Sequence, residues 1–264
     1  MRPRAPAAAA LLAAAAVAAA GACRAAPEPR PPAPAAAPLP SRAGGEPAPP
    51  AGQVVLDGVP TAVRWTDGDT FRARDGALAG RAFRLEGVNA LEGYGPVHRW
   101  GAWRPEELLE RAREATRLAR SRAWSCRLLP GGGGYGRELA SCPDAARALV
   151  EAGLAMVFAV GGPPDAALVT AQRAAQARGA GMWARGVPPR ILTSLHSAGE
   201  PGLAGEPYDR LVDTRSGRTA LRRHRGGYAT CEEVCVGSGP EAACLTYVPF
   251  ERRYRERPRC LSGR

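Results

Sequence analysis

Residues 61–88 read T-A-V-R-W-T-D-G-D-T-F-R-A-R-D-G-A-L-A-G-R-A-F-R-L-E-G-V, and this stretch decides the fold. Thr61–Thr66 alternates as a half-buried strand does, Asp67-Gly68-Asp69 supplies a turn, and Thr70–Arg74 forms the next strand. Asp75-Gly76 opens another turn, after which Arg81–Val88 predicts a third strand. Downstream, Pro105 opens a helix whose Leu108, Leu109, Ala112, Ala115, Leu118 and Ala119 share one face. Trp124–Leu129 and Glu138–Cys142 predict two strands joined by a glycine-rich loop that holds Tyr135, Gly136 and Arg137. Two helices follow: Asp144–Glu151, ended by Gly153, and Asp165–Arg178, capped by Asp165 and stopped by Gly179. The order βββαββαα predicts a mainly β, α+β fold, in which a small closed barrel of five strands and the OB type carries three helices.

Upstream of this domain, Arg2 and Arg4 precede an apolar run, Ala7 to Ala20, too short to span a bilayer comfortably. That pattern predicts an export signal over 1–22. Ala20-Gly21-Ala22-Cys23 reads further as a lipobox, with Cys23 acylated and several chains giving stable membrane anchoring. Ordinary signal cleavage nearby is the alternative. Residues 23–52 are rich in Pro and Ala without apolar periodicity, which predicts an extended tether. The expected location is the cell envelope, as an outer-membrane lipoprotein, with a periplasmic or secreted protein as the alternative.

The folded domain is expected over 53–189. Residues 190–264 carry few aliphatics, many Arg and Gly, and four cysteines, so they predict a small cysteine-stapled appendage. Apart from Cys23, the cysteines are Cys126, Cys142, Cys231, Cys235, Cys244 and Cys260, an even number that suggests disulfides in an exported chain. Cys126 and Cys142 lie on the strands flanking the glycine loop, where a cross-strand bond would brace it; pairing with the tail is the alternative. The last four suit two disulfides of unspecified pairing, or a four-thiolate zinc site. The net charge is +11 and carried by arginine without lysine. In a chain so rich in Ala, Gly and Pro, this supports a polyanionic partner only weakly.

Asp67-Gly68-Asp69-Thr70, Arg84 to Glu92, and Tyr135 to Ala140 together offer cation-binding positions, a carboxylate base and two guanidinium groups. Those are the parts that phosphodiester cleavage needs: a cation to polarise the phosphoryl group, a base for water, and fixed positive charge for the transition state. Arginine suits phosphate because its planar fork donates two parallel hydrogen bonds and stays charged.

W-T-D-G-D-T-F-R, F-R-L-E-G-V-N-A-L-E, Y-G-R-E-L-A, A-L-V-E-A-G-L-A and A-R-G-A-G-M-W occur in that order. Residues of about 54–186 thereby resemble a thermonuclease (staphylococcal-nuclease-like) domain. The resemblance implies an OB-fold barrel with three helices and a calcium-dependent phosphodiesterase acting on DNA and RNA. It implies that Asp69 binds calcium through its carboxylate, Asn89 stands where a second metal-binding aspartate is usual, and Ala90 ligates through its backbone carbonyl. Glu92 matches the general base or water-orienting group, Arg84 and Arg137 the arginines on the scissile phosphate, Tyr135 a tyrosine beside the nucleotide, and Asp67 an acidic rim residue.

Departures from the family pattern are equally specific. Asn89 keeps an oxygen ligand but gives up a negative charge, which predicts weaker calcium binding. Leu91 replaces a proline, and Ala159 and Gly161 stand where stacking tyrosines are usual. The segment Tyr94–Trp103, with His98, Trp100 and Trp103, offers either a substitute aromatic platform or cover for the core. Arg222-Arg223-His224-Arg225 and Arg252-Arg253-Tyr254-Arg255 are basic clusters whose alternatives are a nucleic-acid grip or a solvated surface. The expected partners are nucleic acid as substrate and the membrane through Cys23, with no obligate protein partner. A catalytically silent, envelope-anchored binding module is the alternative function.

Overall fold

Gln53–Leu56 (β1), Val59–Trp65 (β2), Thr70–Ala73 (β3), Ala82–Leu85 (β4), Trp124–Gly134 and Arg137–Ser141 close into a barrel of six strands. The computed structural model describes residues 51–201, 203, 205–253 and 259–261. The leader 1–22, Cys23 and the tether up to residue 50 lie outside the described residues. Between β4 and the later barrel strands come Val88–Ala90 (β5), His98–Trp100 (β6) and Pro105–Arg120 (α1). Trp124–Gly134 is then β7, Arg137–Ser141 β8, Pro143–Glu151 α2, Ala155–Val157 β9 and Ala166–Ala177 α3. Barrel neighbours run β1-β2-β3-β4-β8-β7, with β4 parallel to β8 and β1 parallel to β7.

The fold is α+β, but the barrel has six strands where the sequence predicted five. The addition is β1, whose Val54 and Leu56 are buried and which lies antiparallel to β2. A second difference concerns Arg81–Val88, expected as one strand. The chain breaks at Gly87, whose φ of +79° is open to glycine without a Cβ penalty. Residues 88–90 therefore leave the barrel and pair with β9 instead.

Aromatic burial holds the barrel together. Phe71 and Phe83 face each other across β3 and β4, fully buried, with ring centroids 5.2 Å apart. Each such ring contributes roughly 1.5–3 kcal/mol by burial. Helix α1 buries Leu108, Leu109, Ala112, Ala115 and Ala119, and Glu107 accepts the Arg104 N–H at 3.0 Å, as in half a capping box. Asp165 caps α3 by accepting from the N–H groups of Ala167 and Leu168 at 2.7 and 3.0 Å.

The C-terminal residues expected as an appendage are built into the same compact unit as the barrel. Arg190–Leu195 (β10), Tyr208–Asp213 (β11) and Thr219–Arg223 (β12) form one sheet. Glu233–Val236 (β13) and Ala243–Thr246 (β14) extend β6, with Leu245 opposite His98. A second core gathers Trp100, Trp103, Met156 and Trp183 with Ile191 and Val212. His98, Trp100 and Trp103 are accordingly buried, as cover for this core. Gln172, fully buried on α3, stitches the two halves: its Oε1 accepts the Val157 N–H at 2.7 Å and its Nε2 donates to Thr214 O at 2.6 Å. The cysteines pair as Cys126–Cys142, Cys231–Cys260 and Cys235–Cys244. The last two disulfides leave no thiolates for a four-cysteine zinc site.

Candidate functional site

Gly68 fixes the first half of the site. A Cβ there would lie 2.5 Å from the Cβ of Ala115 and 2.9 Å from that of Ala90, so only glycine lets the 67–69 turn press against α1. The turn drives Asp69 inside, at 3% exposure. Its Oδ1 accepts from the Thr70 hydroxyl at 2.8 Å and from Arg84 Nη1 at 3.0 Å. Its Oδ2 accepts the Ala90 N–H at 2.8 Å. Arg84, on β4, also donates from Nη2 to Asn89 Oδ1 at 2.8 Å and to Val88 O at 3.3 Å. One guanidinium thus collects the Asp69 and Asn89 oxygens about a single point. Asn89 in turn donates its amide to the Ala90 carbonyl at 2.8 Å.

Asp67 is half-buried and accepts the Asp69 N–H at 3.2 Å. Burial, followed by the neighbouring carboxylates of Asp69 and Glu92, pushes its pKa well above the usual carboxylate range. Arg84 acts in the opposite direction, favouring the ionised carboxylate. Glu92 lines the cleft and, among the described residues, makes no hydrogen bond or ion pair.

Gly133 builds the second half. Its α-carbon approaches so closely that a Cβ would sit 3.1 Å from the Cβ of Arg84 and 3.5 Å from that of Arg137. Both arginines thus flank one point of the glycine hairpin. Strands β7 and β8 run into that hairpin, so the expected loop reduces to the two residues Tyr135-Gly136, with φ of +53° and +70°. Two successive positive φ values match the right-handed twist of a hairpin. Arg137 folds back on the hairpin, donating to the carbonyls of Gly134 and Gly133 at 3.1 and 3.2 Å. The Cys126–Cys142 disulfide ties the far ends of the two strands.

These parts open on one cleft of about 1410 Å³, lined by Asp67, Arg84, Asn89, Glu92, Tyr135 and Arg137. Asp69 sits just beneath, reached through Arg84 and Asn89. Among the described residues, eight arginines and five carboxylates line the cleft, so its field favours an anion. The structure therefore gathers Asp67, Asp69, Arg84, Asn89, Ala90, Glu92, Tyr135 and Arg137 at or just beneath one cleft. Sequence reasoning missed most of the other wall: Ser194, His196, Tyr208 and Arg210 also line this cleft, beside Arg253 of the second basic cluster. No local pattern marks Ser194, His196, Tyr208 and Arg210, because the pairing of β10 with β11 is what brings them side by side. The basic clusters divide. Arg222 is spent on buried Asp209 at 2.7 and 2.9 Å, Arg253 faces the cleft, and Tyr254 and Arg255 lie outside the described residues.

The donors around Asp69 suit a hard cation: carboxylate, amide and carbonyl oxygens, two of them already converging on a positive group. A cation and Arg84 would compete for the same oxygens. Elsewhere, Glu233, Cys235 and Cys244 present ligand atoms within 4.8 Å of one another, but both sulfurs are in a disulfide and Glu233 pairs with Arg99 at 2.6 Å. Comparison with models of protein families finds no match, and neither does comparison with curated proteins.

Proposed function

We propose that this chain is an exported, calcium-dependent nuclease of the thermonuclease-like, OB-fold class, hydrolysing phosphodiester bonds of DNA or RNA. One observation carries the reading: Glu92, which makes no hydrogen bond or ion pair among the described residues, shares a cleft with Arg84 and Arg137 and with an oxygen cluster centred on Asp69 and Asn89. The barrel supports it too. The antiparallel run β2-β3-β4 and the β7–β8 hairpin, joined by a parallel β4–β8 contact, are compatible with an OB-type barrel.

Asp69, Asn89 and the Ala90 carbonyl would hold the calcium, with Asp67 on the rim. Bound there, calcium would supply Lewis-acid polarisation of the phosphoryl group. Glu92, free of protein partners, accepts a proton from water or orients it at the phosphorus. Arg84, once its oxygens are engaged otherwise, and Arg137, once it exchanges loop carbonyls for phosphate, donate to the non-bridging oxygens as charge builds on them. Losing one such donor costs about 3–4 kcal/mol, or two to three decades in rate. Tyr135 contacts the bound nucleotide. Anchoring through an acylated Cys23 at the cell envelope belongs to the same proposal.

Plasmid digestion in calcium against chelator tests this reading. Calcium-stimulated cleavage that falls at least a hundredfold in Glu92→Gln and Arg84→Ala is expected; its absence would sink the assignment. A silent binding module is favoured by one feature, that Arg84 and Arg137 are both turned onto protein oxygens. Equal nucleic-acid binding with and without chelator, and no cleavage, would support that module instead.

A further inference from the structure

The cleft is larger than the roughly 300–1,000 Å³ of pockets that hold a single small molecule. Its second wall comes entirely from the C-terminal residues, and it is neither apolar nor acidic. Tyr135 reaches across from the hairpin, its hydroxyl 3.0 Å from His196 Nδ1 and its ring nearly parallel to the imidazole, with centroids 6.0 Å apart. His196 meets the Tyr208 ring at 4.4 Å, and the Arg210 guanidinium lies 5.7 Å over that ring. Arg253 lines the same wall. Tyr135 remains 63% exposed, and its φ of +53° is a left-handed conformation that bulky residues rarely adopt. The hairpin turn thus presents the Tyr135 ring at the mouth of the basic cleft rather than in the core.

We infer that Tyr135, His196, Tyr208, Arg210 and Arg253 form an extended subsite for single-stranded nucleic acid, holding the nucleotides that flank the scissile phosphate. The inference rests on the phosphodiesterase reading and deepens it. Rings arranged beside guanidinium groups suit a strand whose bases are free to stack and whose phosphates follow the arginines. A duplex keeps its bases paired and offers these rings nothing to stack on.

Binding is measured in chelator, where no cleavage is expected, by fluorescence anisotropy of labelled thymidine oligonucleotides two and eight residues long, and of an eight-base-pair duplex. The eight-residue strand should bind at least a hundredfold more tightly than the dinucleotide and tenfold more tightly than the duplex. Arg210→Ala should shrink the gain with length about tenfold and lower the salt slope by about 0.7. Tyr208→Ala should shrink the gain by a similar factor, about tenfold per stacked base lost.

A second measurement reads the wild-type protein directly. The chain has three histidines, so the His196 ring resonances can be assigned by their loss in His196→Gln. His196 is buried like His98 but lines the cleft, so the eight-residue strand should shift its resonances and leave those of His98, which does not line it, in place. Calcium-stimulated cleavage together with equal affinity for both lengths, or with an unmoved His196, overturns this inference alone. No binding of any strand by the wild-type protein overturns it together with the nuclease reading.

Discussion

Arg84→Met tests the centre of the site by removing charge while keeping much of the volume. In the native protein the Arg84 side chain is 12% exposed and that of Asp69 4%, and they pair at 3.0 Å. Deleting one partner of a buried ion pair leaves the other charge uncompensated and costs about 3–5 kcal/mol. Asp69 keeps the Thr70 hydroxyl and the Ala90 N–H, which places the expected loss near the lower end, about 3 kcal/mol. Native stabilities of about 5–15 kcal/mol leave room for the variant to fold. If Asp69 and Asn89 bind calcium, the ion takes over the charge that the guanidinium supplied. Calcium at a hundred times its dissociation constant then returns about 2.7 kcal/mol. Urea unfolding at neutral pH, followed by circular dichroism with and without calcium, reads both quantities. A loss below about 1 kcal/mol would refute the structural reasoning. Equal calcium stabilisation of wild type and variant would refute competition for the same oxygens.

Three further outcomes are expected. Asn89→Asp restores a negative ligand, worth about 1–4 kcal/mol at contact distance in partly screened surroundings, less about 1 kcal/mol for the lost bond to Ala90 O; titration calorimetry should show calcium binding about tenfold tighter. His98 is buried and its Nε2 lies 2.9 Å from Leu192 O, and burial lowers its pKa to about 4. Its folded pKa lies below the unfolded one, so this contribution is whole above about pH 6.5 and is lost as pH falls toward 4. Urea midpoints between those limits should therefore record a loss of about 3 kcal/mol in wild type that His98→Gln lacks. Replacing Cys126 and Cys142 together by alanine opens a cross-link spanning 16 residues. Thermal unfolding should show about 3 kcal/mol less stability, with nuclease activity falling as the hairpin that carries Arg137 loosens.

Much of the barrel is written locally. The Asp-Gly turns, the period of α1 and the Asp165 cap depend on neighbours within a few residues, and the structure places each close to expectation. Gln53–Leu56 is different. Four residues before an Asp-Gly turn are a strand only because β2 and β7 lie on either side. The break at Gly87 turns on partnership as well, since Val88–Ala90 has a better mate in β9. The tail was least legible because its poverty in aliphatics is a local property. The surface that completes it includes β6, and there the pairing of Leu245 with His98 spans 147 residues of chain. Site residues follow the same rule. Asp69, Arg84, Asn89 and Glu92 fall within 24 positions and could be read from order and type. The contact between Tyr135 and His196 spans 61 positions and could not.

The pairing of β14 with β6 carries a consequence for assembly. A chain emerging from its amino end presents Trp100 and Trp103 well before Ala243–Thr246 is made, so its second core stays unsealed until nearly the whole polypeptide is available. Long-range closure of this kind is slow and leaves apolar surface open to other chains. Cys235–Cys244, across the last hairpin, then acts as a late clasp on the strand pair that shuts the core.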